Sequence, residues 1–348
     1  MTTVPYKGSP IFNDDGTFKK EDDKVQGRSY SSNLTKLLKQ LPKLQNLQEG
    51  KPASPVMAHI SLTNACNLTC SFCCFANRDI SEKMPTEKVF QALESFKAIG
   101  VTGVEFTGGG EPSIHPHFKE IVQYAKDLGF GLGICTNGAR FGADRPIKKD
   151  IVELFDWVRL GMYGFYEGYD YDLSVFEGTN CKPSAAYVWD ENLETSKNPN
   201  ITGEWSDVKN KRVLSKKFQT TENFIRMLDW VEENEIPCRI AFNAIKDVKE
   251  TEKDIETIRG IIAEYEKDRG RKLKSAFLSD FNFKGERRND HCYMHMVKPF
   301  LFTDGYIYAC PSAELSIENN YNYVPESQFA VCDIDGIEEF YARGPTRR

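Results

Sequence analysis

The chain has 348 residues, enough for one large domain or two around a buried core. Hydrophobic residues make up 40 % and aromatics 12 %, which excludes a disordered chain, and no apolar run is long enough to cross a bilayer. The net charge is -6 and no basic stripe interleaves with aromatics, which argues against nucleic acid as the main partner. Residues 1–27 are polar and carry no apolar signal core, so the protein is expected in the cytoplasm.

Residues 1–30 are rich in Asp, Lys, Gly and Ser and read as a mobile arm. Leu34, Leu37, Leu38 and Leu41 then fall at helical spacing, and Pro42 ends or kinks that helix. Residues 1–54 are thus an arm and a packing helix. From residue 56 the pattern alternates. Strands are expected at 56–63, 101–107, 130–136, 158–162, 238–245 and 274–278. Helices are expected at 86–99, 118–128, 147–155, 221–234 and 253–269. Such alternation means a parallel sheet with helical crossovers. Six units suit an α/β fold, a partial (β/α)6 TIM-like barrel over residues 55–284, with its site at the C-terminal ends of the strands. Residues 163–220 form a long insertion on that same side. They carry Tyr163, Tyr166, Tyr169, Tyr171, Tyr187, Trp189 and Trp205 among acidic residues. A long loop with so many aromatics reads as an ordered lid over a polar, amine-bearing substrate. Residues 285–348 break the alternation. Asp304-Gly305 between two apolar runs signals a hairpin, and the segment reads as a small separate module.

Cys66, Cys70 and Cys73 stand at Cys-x3-Cys-x2-Cys spacing just after the first strand. Three thiols on one short loop share a bound centre, form a disulfide or coincide by chance. A chain without a secretory signal disfavours the disulfide. Zinc would want a fourth ligand, and an iron–sulfur cluster held by three cysteines would leave one iron open. The spacing alone does not choose. A second motif, Thr107-Gly108-Gly109-Gly110-Glu111-Pro112, follows the second strand. Glycines let a backbone approach a ligand, and Glu111 can accept hydrogen bonds from an ammonium group.

The two motifs, in order and after the correct strands, resemble those of the radical S-adenosylmethionine (SAM) enzymes over roughly residues 55–345. The resemblance implies a [4Fe-4S] cluster on Cys66, Cys70 and Cys73, with SAM chelating the open iron. It implies that one electron, from a donor such as flavodoxin or ferredoxin, cleaves SAM to a 5′-deoxyadenosyl radical. It places Phe72 near adenine and Gly109, Gly110 and Glu111 at the methionine end of SAM. Thr136 and Asn137, in the Cys135-Thr136-Asn137-Gly138 end of the third strand, are expected in the SAM pocket, with Asn243 on the fifth strand. The fourth strand departs from many relatives, having Gly161 where they carry Ser and Tyr163 where they carry Asp.

Cys292, twelve residues, Gly305, four residues and Cys310 resemble the opening of the C-terminal modules called SPASM and twitch. The dense cysteine run of the full module is absent, so residues 285–348 fit a twitch-like module with one auxiliary [4Fe-4S] cluster on Cys292, Cys310 and Cys332. Cys135 and Cys181 are candidates for returning a hydrogen atom to a substrate radical. The resemblance therefore implies abstraction of hydrogen from a small polar metabolite, a sugar, cyclitol, nucleoside or amino-acid derivative, with oxidation through the auxiliary cluster. The alternatives are a peptide-modifying maturase and a radical epimerase using a cysteine donor.

Overall fold

The computed structural model describes residues 40–70, 72–73, 75, 80–141, 146–162, 171–189, 212–213, 221–242, 248–278, 294–309 and 330–344. Its centre is one ten-stranded sheet. In chain order the parallel strands are β1 (Met57–Ile60), β3 (Gly103–Phe106), β4 (Gly131–Thr136), β5 (Trp157–Gly161), β6 (Lys182–Trp189), β8 (Cys238–Phe242) and β9 (Ala276–Leu278), each paired in parallel with the next. On the other side of β1 lies β10 (Phe300–Leu301), also parallel, followed by antiparallel β11 (Tyr306–Tyr308) and β12 (Ala330–Asp333). A separate two-stranded pair joins β2 (Leu68–Thr69) to β7 (Arg212–Val213). The α/β class and the large, mostly parallel sheet are as the alternation predicts.

The crossovers follow helix periodicity. Helix α2 (Thr86–Ala98) buries Val89, Ala92, Leu93 and Phe96, the stripe that a 3.6-residue period puts on one face. Gly100 ends it at φ 87°, with the Val101 amide on the Phe96 carbonyl at 2.9 Å and the Gly100 amide on that of Lys97. This is the left-handed glycine stop that L-residues resist. Helix α3 (Phe118–Asp127) stops the same way at Gly129. Helices α4 (Lys149–Val152), α5 (Thr221–Glu233) and α6 (Val248–Arg269) complete the layer. The strands give this layer their apolar side chains, among them Ile60, Phe106, Ile134, Leu160 and Tyr187, all essentially inaccessible. The alternate residues, His59, Glu105, Cys135 and Arg159, point to the inner face of the partial barrel.

Three expectations are refined. Pro42 begins a helix: α1 (Leu41–Gln48) carries it in the first turn, where its missing amide is not needed, while Leu34, Leu37 and Leu38 lie outside the described residues. The 163–220 insertion contains β6, so Tyr187 and Trp189 are core residues beneath α5, in ring contact with Phe224. Pro183 near the start of that run disguised it, since proline usually argues against a central strand. Of the remaining lid residues, Tyr171 is buried, with its hydroxyl on the Gly161 carbonyl at 2.9 Å. Tyr163, Tyr166, Tyr169 and Trp205 lie outside the described residues. The C-terminal segment is continuous with the barrel sheet through β10. Its hairpin turns at Asp304-Gly305 as expected, with φ 85° at Gly305 and Asp304 accepting from the Tyr306 amide. Helix α7 (Ile337–Ala342) then packs Ile337 and Tyr341 into the same core.

Candidate active site

Three turns meet at the C-terminal edge of β1, β3 and β4. The first carries Cys66, Cys70 and Cys73. Gly109 and Gly110 of the second turn face it so closely that side chains are not tolerated. A Cβ on Gly110 would lie 1.8 Å from the Ala65 carbonyl oxygen, and one on Gly109 would lie 2.4 Å from Ser61 Oγ. The close approach is made to the protein's own cysteine turn. The Gly110 amide donates to Thr63 O at 2.7 Å and the Glu111 amide to Ala65 O at 2.9 Å.

Glu111 joins the second turn to the third. Its Oε1 accepts from the Ser113 amide at 3.1 Å, Ser113 Oγ at 2.6 Å and Thr136 Oγ1 at 2.7 Å. Its Oε2 accepts from the Asn137 amide at 2.7 Å. The residue is 2 % exposed, and its carboxylate braces the edge. Asn137 then reaches back. Its Nδ2 donates to Asn67 Oδ1 at 2.7 Å and lies 3.7 Å from Cys66 Sγ. The Gly138 amide donates to Thr136 Oγ1, and Gly138 itself, at φ 78°, gives room to the Tyr171 ring. The start of the cysteine turn is held from the far side by Glu82, whose carboxylate accepts from Asn64 Nδ2 and Thr303 Oγ1. Ser113, Asn67 and Glu82 carry no motif and were not legible beforehand.

Cys66, Cys70 and Cys73 are all half-buried, and Phe72 lies partly buried between the last two. Cys73 packs against the cluster of Phe75, Phe300 and Phe302. Among the described residues no three His, Cys, Asp or Glu side chains converge on a point where one metal ion would sit. A [4Fe-4S] cluster makes no such demand, because each thiolate binds a different iron. Three accessible thiols on one braced turn, with an amide donor beside the first sulfur, fit that group.

Below this edge the inner face carries charges that the sequence reading passed over. Glu105 Oε2 is 2.9 Å from His59 Nε2 and 3.5 Å from Lys298 Nζ. Cys135 Sγ donates to Glu105 Oε1 at 3.2 Å, and Arg159 Nη1 lies 3.6 Å from that sulfur while its guanidinium stacks over Trp157. Burial works to raise the Glu105 carboxyl, but the His59 hydrogen bond and the charges of Lys298 and Arg159 outweigh it and hold it below the usual carboxylate range. Burial holds the His59 imidazole below its ordinary value. A neutral His59 facing an ionised carboxylate must donate from Nε2, which leaves Nδ1 an acceptor. Among the described residues that atom has no hydrogen-bond partner, and His59 is 6 % exposed. Burial first, and then the Glu105 charge, push the Cys135 thiol up to about 12. The signal for this array was polar residues at every second position of apolar strands.

The other cysteines part company. Cys181 immediately precedes β6, whose first amide, on Lys182, bonds the Asp156 carbonyl. It therefore lies at the N-terminal edge, opposite the cysteine turn, and the structure does not bring it to the site. Cys238 faces the helices, with its sulfur on Met227. Cys332 pairs in register with fully buried Ile307 and packs against the main core. Cys292, Cys310 and Asn243 lie outside the described residues.

Comparison with known proteins agrees with this geometry. The profile of the Radical SAM superfamily matches residues 60–167. An S-adenosylmethionine-dependent nucleotide dehydratase of Selenomonas ruminantium is 31 % identical over 98 residues, which cover 28 % of this chain and 35 % of that protein. The sporulation killing factor maturation protein SkfB of Bacillus subtilis is 34 % identical over 85 residues, covering 24 % of this chain and 20 % of the relative. The chain thus spans about a third or less of these curated relatives. Streptococcus suis SuiB, solved with its precursor peptide SuiA, superposes with a TM-score of 0.53 at 16 % identity, over 92 % of this chain and 74 % of that one. At that identity the likeness is one of fold. Among the described residues no helix is long and apolar enough to cross a membrane. Residues 60–167 thus match the Radical SAM superfamily profile, and the chain shares its fold with SuiB.

Proposed function

We propose that the chain removes a hydrogen atom from a small polar metabolite, a sugar, cyclitol, nucleoside or amino-acid derivative, held on the inner face of the barrel. Cys66, Cys70 and Cys73 would hold a [4Fe-4S] cluster, which with SAM and one electron from a flavodoxin- or ferredoxin-like donor would supply 5′-deoxyadenosyl radical chemistry at this edge. The observation that carries this reading is the interlock of Glu111, Asn137 and the cysteine turn, which fixes three loops around one point. Gly109, Gly110, Glu111, Thr136 and Asn137 set the shape of the edge that receives SAM, and Phe72 flanks it. Glu111 acts by bracing. The array of His59, Glu105, Arg159 and Lys298 below supports a substrate rich in hydroxyl, amine or anionic groups.

Two fates for the substrate radical follow from different residues. Oxidation through an auxiliary cluster rests on Cys292, Cys310 and Cys332, the last half-buried beside the core. Return of a hydrogen atom rests on Cys135, which is on the inner face beneath Asn137. A peptide substrate is the second reading, favoured by the maturation protein among the relatives. The test is SAM turnover by anaerobically reconstituted, reduced protein against panels of small polar metabolites and of peptides. Stimulated 5′-deoxyadenosine release by a metabolite is expected. Stimulation by peptides alone would overturn the small-molecule reading.

A further inference from the structure

We propose that Cys135 is a hydrogen-atom donor on the floor of the substrate site, and that Glu105, bridging His59 and Lys298, is the positioning residue that keeps it a thiol and resupplies its proton. The inference rests on the function proposed above and deepens it. Among the described cysteines outside the cluster turn, Cys181 is at the wrong edge and Cys238 and Cys332 face apolar layers. Of these described cysteines, Cys135 alone lies on the inner face, two residues before the Asn137 that touches the cluster turn, and it is half-buried.

Its surroundings are built and buried. Glu105 holds the S–H with one oxygen and meets His59 and Lys298 with the other. A carboxylate beside a sulfur disfavours the thiolate, which has no hydrogen atom to give. The second observation is the buried His59 Nδ1, an acceptor with no partner among the described residues, which a substrate hydroxyl or ammonium would satisfy. The substrate class is therefore a polyol or amine whose reacting C–H lies near the sulfur.

The step balances. The S–H bond of Cys135 breaks as a C–H bond forms on the carbon radical, leaving a sulfur radical. That radical takes one electron from the low-potential one-electron reductant already required. The resulting thiolate takes a proton from the Lys298 ammonium through Glu105, and Lys298, with its side chain 28 % exposed, recovers it from solvent.

Two measurements test this. The first reduces reconstituted protein with dithionite and SAM in D2O without substrate, so that the exchanged thiol carries deuterium. The 5′-deoxyadenosine from the unaltered chain should carry one solvent deuterium, and that from Cys135→Ser and Cys135→Ala should not. Unlabelled product from the unaltered chain, or label persisting in both variants, overturns the role of Cys135. No 5′-deoxyadenosine at all from the unaltered chain overturns the underlying function and this inference with it. The second measures iodoacetamide alkylation of the Cys135 peptide at pH 8 in cluster-free protein. Glu105→Gln removes the carboxylate but leaves Arg159, so alkylation should rise about tenfold for each unit the thiol falls. An unchanged or slower rate overturns the role of Glu105.

Discussion

Replacing Glu111 separates a brace from a ligand-reaching carboxylate. In the Ala variant four donors lose their acceptor: the amides of Ser113 and Asn137 and the hydroxyls of Ser113 and Thr136. The hydroxyls can rotate toward other acceptors; the two amides are fixed by the backbone. A buried donor left unpaired costs about 1–3 kcal/mol. Glu111→Ala should therefore destabilise the cluster-free protein by about 2–6 kcal/mol, for two amides at about 1–3 kcal/mol each. Glu111→Gln keeps an oxygen for the Oε1 cluster but turns an NH2 toward the Asn137 amide. It loses one charge-assisted bond, about 1.5–3 kcal/mol. Guanidinium unfolding under anaerobic conditions without cluster or SAM, followed by tryptophan fluorescence, reads both values. If both variants unfold within about 0.5 kcal/mol of the parent, as expected of an ordinary surface substitution, Glu111 is not a brace and the interlock is wrong.

Gly110→Ala should cost more than the about 1–3 kcal/mol of ordinary overpacking, because the colliding atoms are backbone on both sides. Its iron content after reconstitution should fall with its stability. Gly260→Ala on α6, where a Cβ meets nothing within 4 Å, should instead stabilise by about 0.5–1 kcal/mol. The depressed His59 should make stability fall on acidification. The unfolded chain takes up a proton near pH 6.5 while the folded imidazole does so only lower, so stability is lost as pH falls from about 6.5 toward the folded value. His59→Gln should flatten that part of the urea-midpoint curve between pH 7 and 5, with His115, also depressed by burial, supplying the remaining slope. An unchanged slope would place the imidazole's proton elsewhere. Cys181→Ala should retain reconstituted iron and SAM cleavage, and loss of either would contradict its position at the far edge.

Much of the frame was written in periodicity and stop signals. Gly100 and Gly129 mark helix ends because each must adopt a left-handed backbone. Asp304-Gly305 marks a hairpin for the same reason. Strand β6 escaped because Pro183 and a run of aromatics imitate an irregular insertion, and only the neighbours β5 and β8 make it a strand. Pro42 was ambiguous because proline suits a first helical turn as well as a break. At the site, the cysteine spacing and the Gly-Gly-Glu motif identified the correct turns. What each residue does was not legible, since Gly110 and Glu111 act on partners 45 and 26 residues away in the chain (Ala65 and Asn137). The Glu105 array was missed because single polar residues in separate strands gain meaning only through register.

The central claim is that Cys66, Cys70 and Cys73 hold the cluster that cleaves SAM. Its most direct test compares the parent and the Cys66/Cys70/Cys73→Ala variant, both reconstituted anaerobically, for iron, sulfide and reductive conversion of SAM to 5′-deoxyadenosine. The account predicts cleavage by the parent and none by the variant, with at least four irons per chain lost between them. Equal iron in both, or cleavage that survives in the variant, would contradict it.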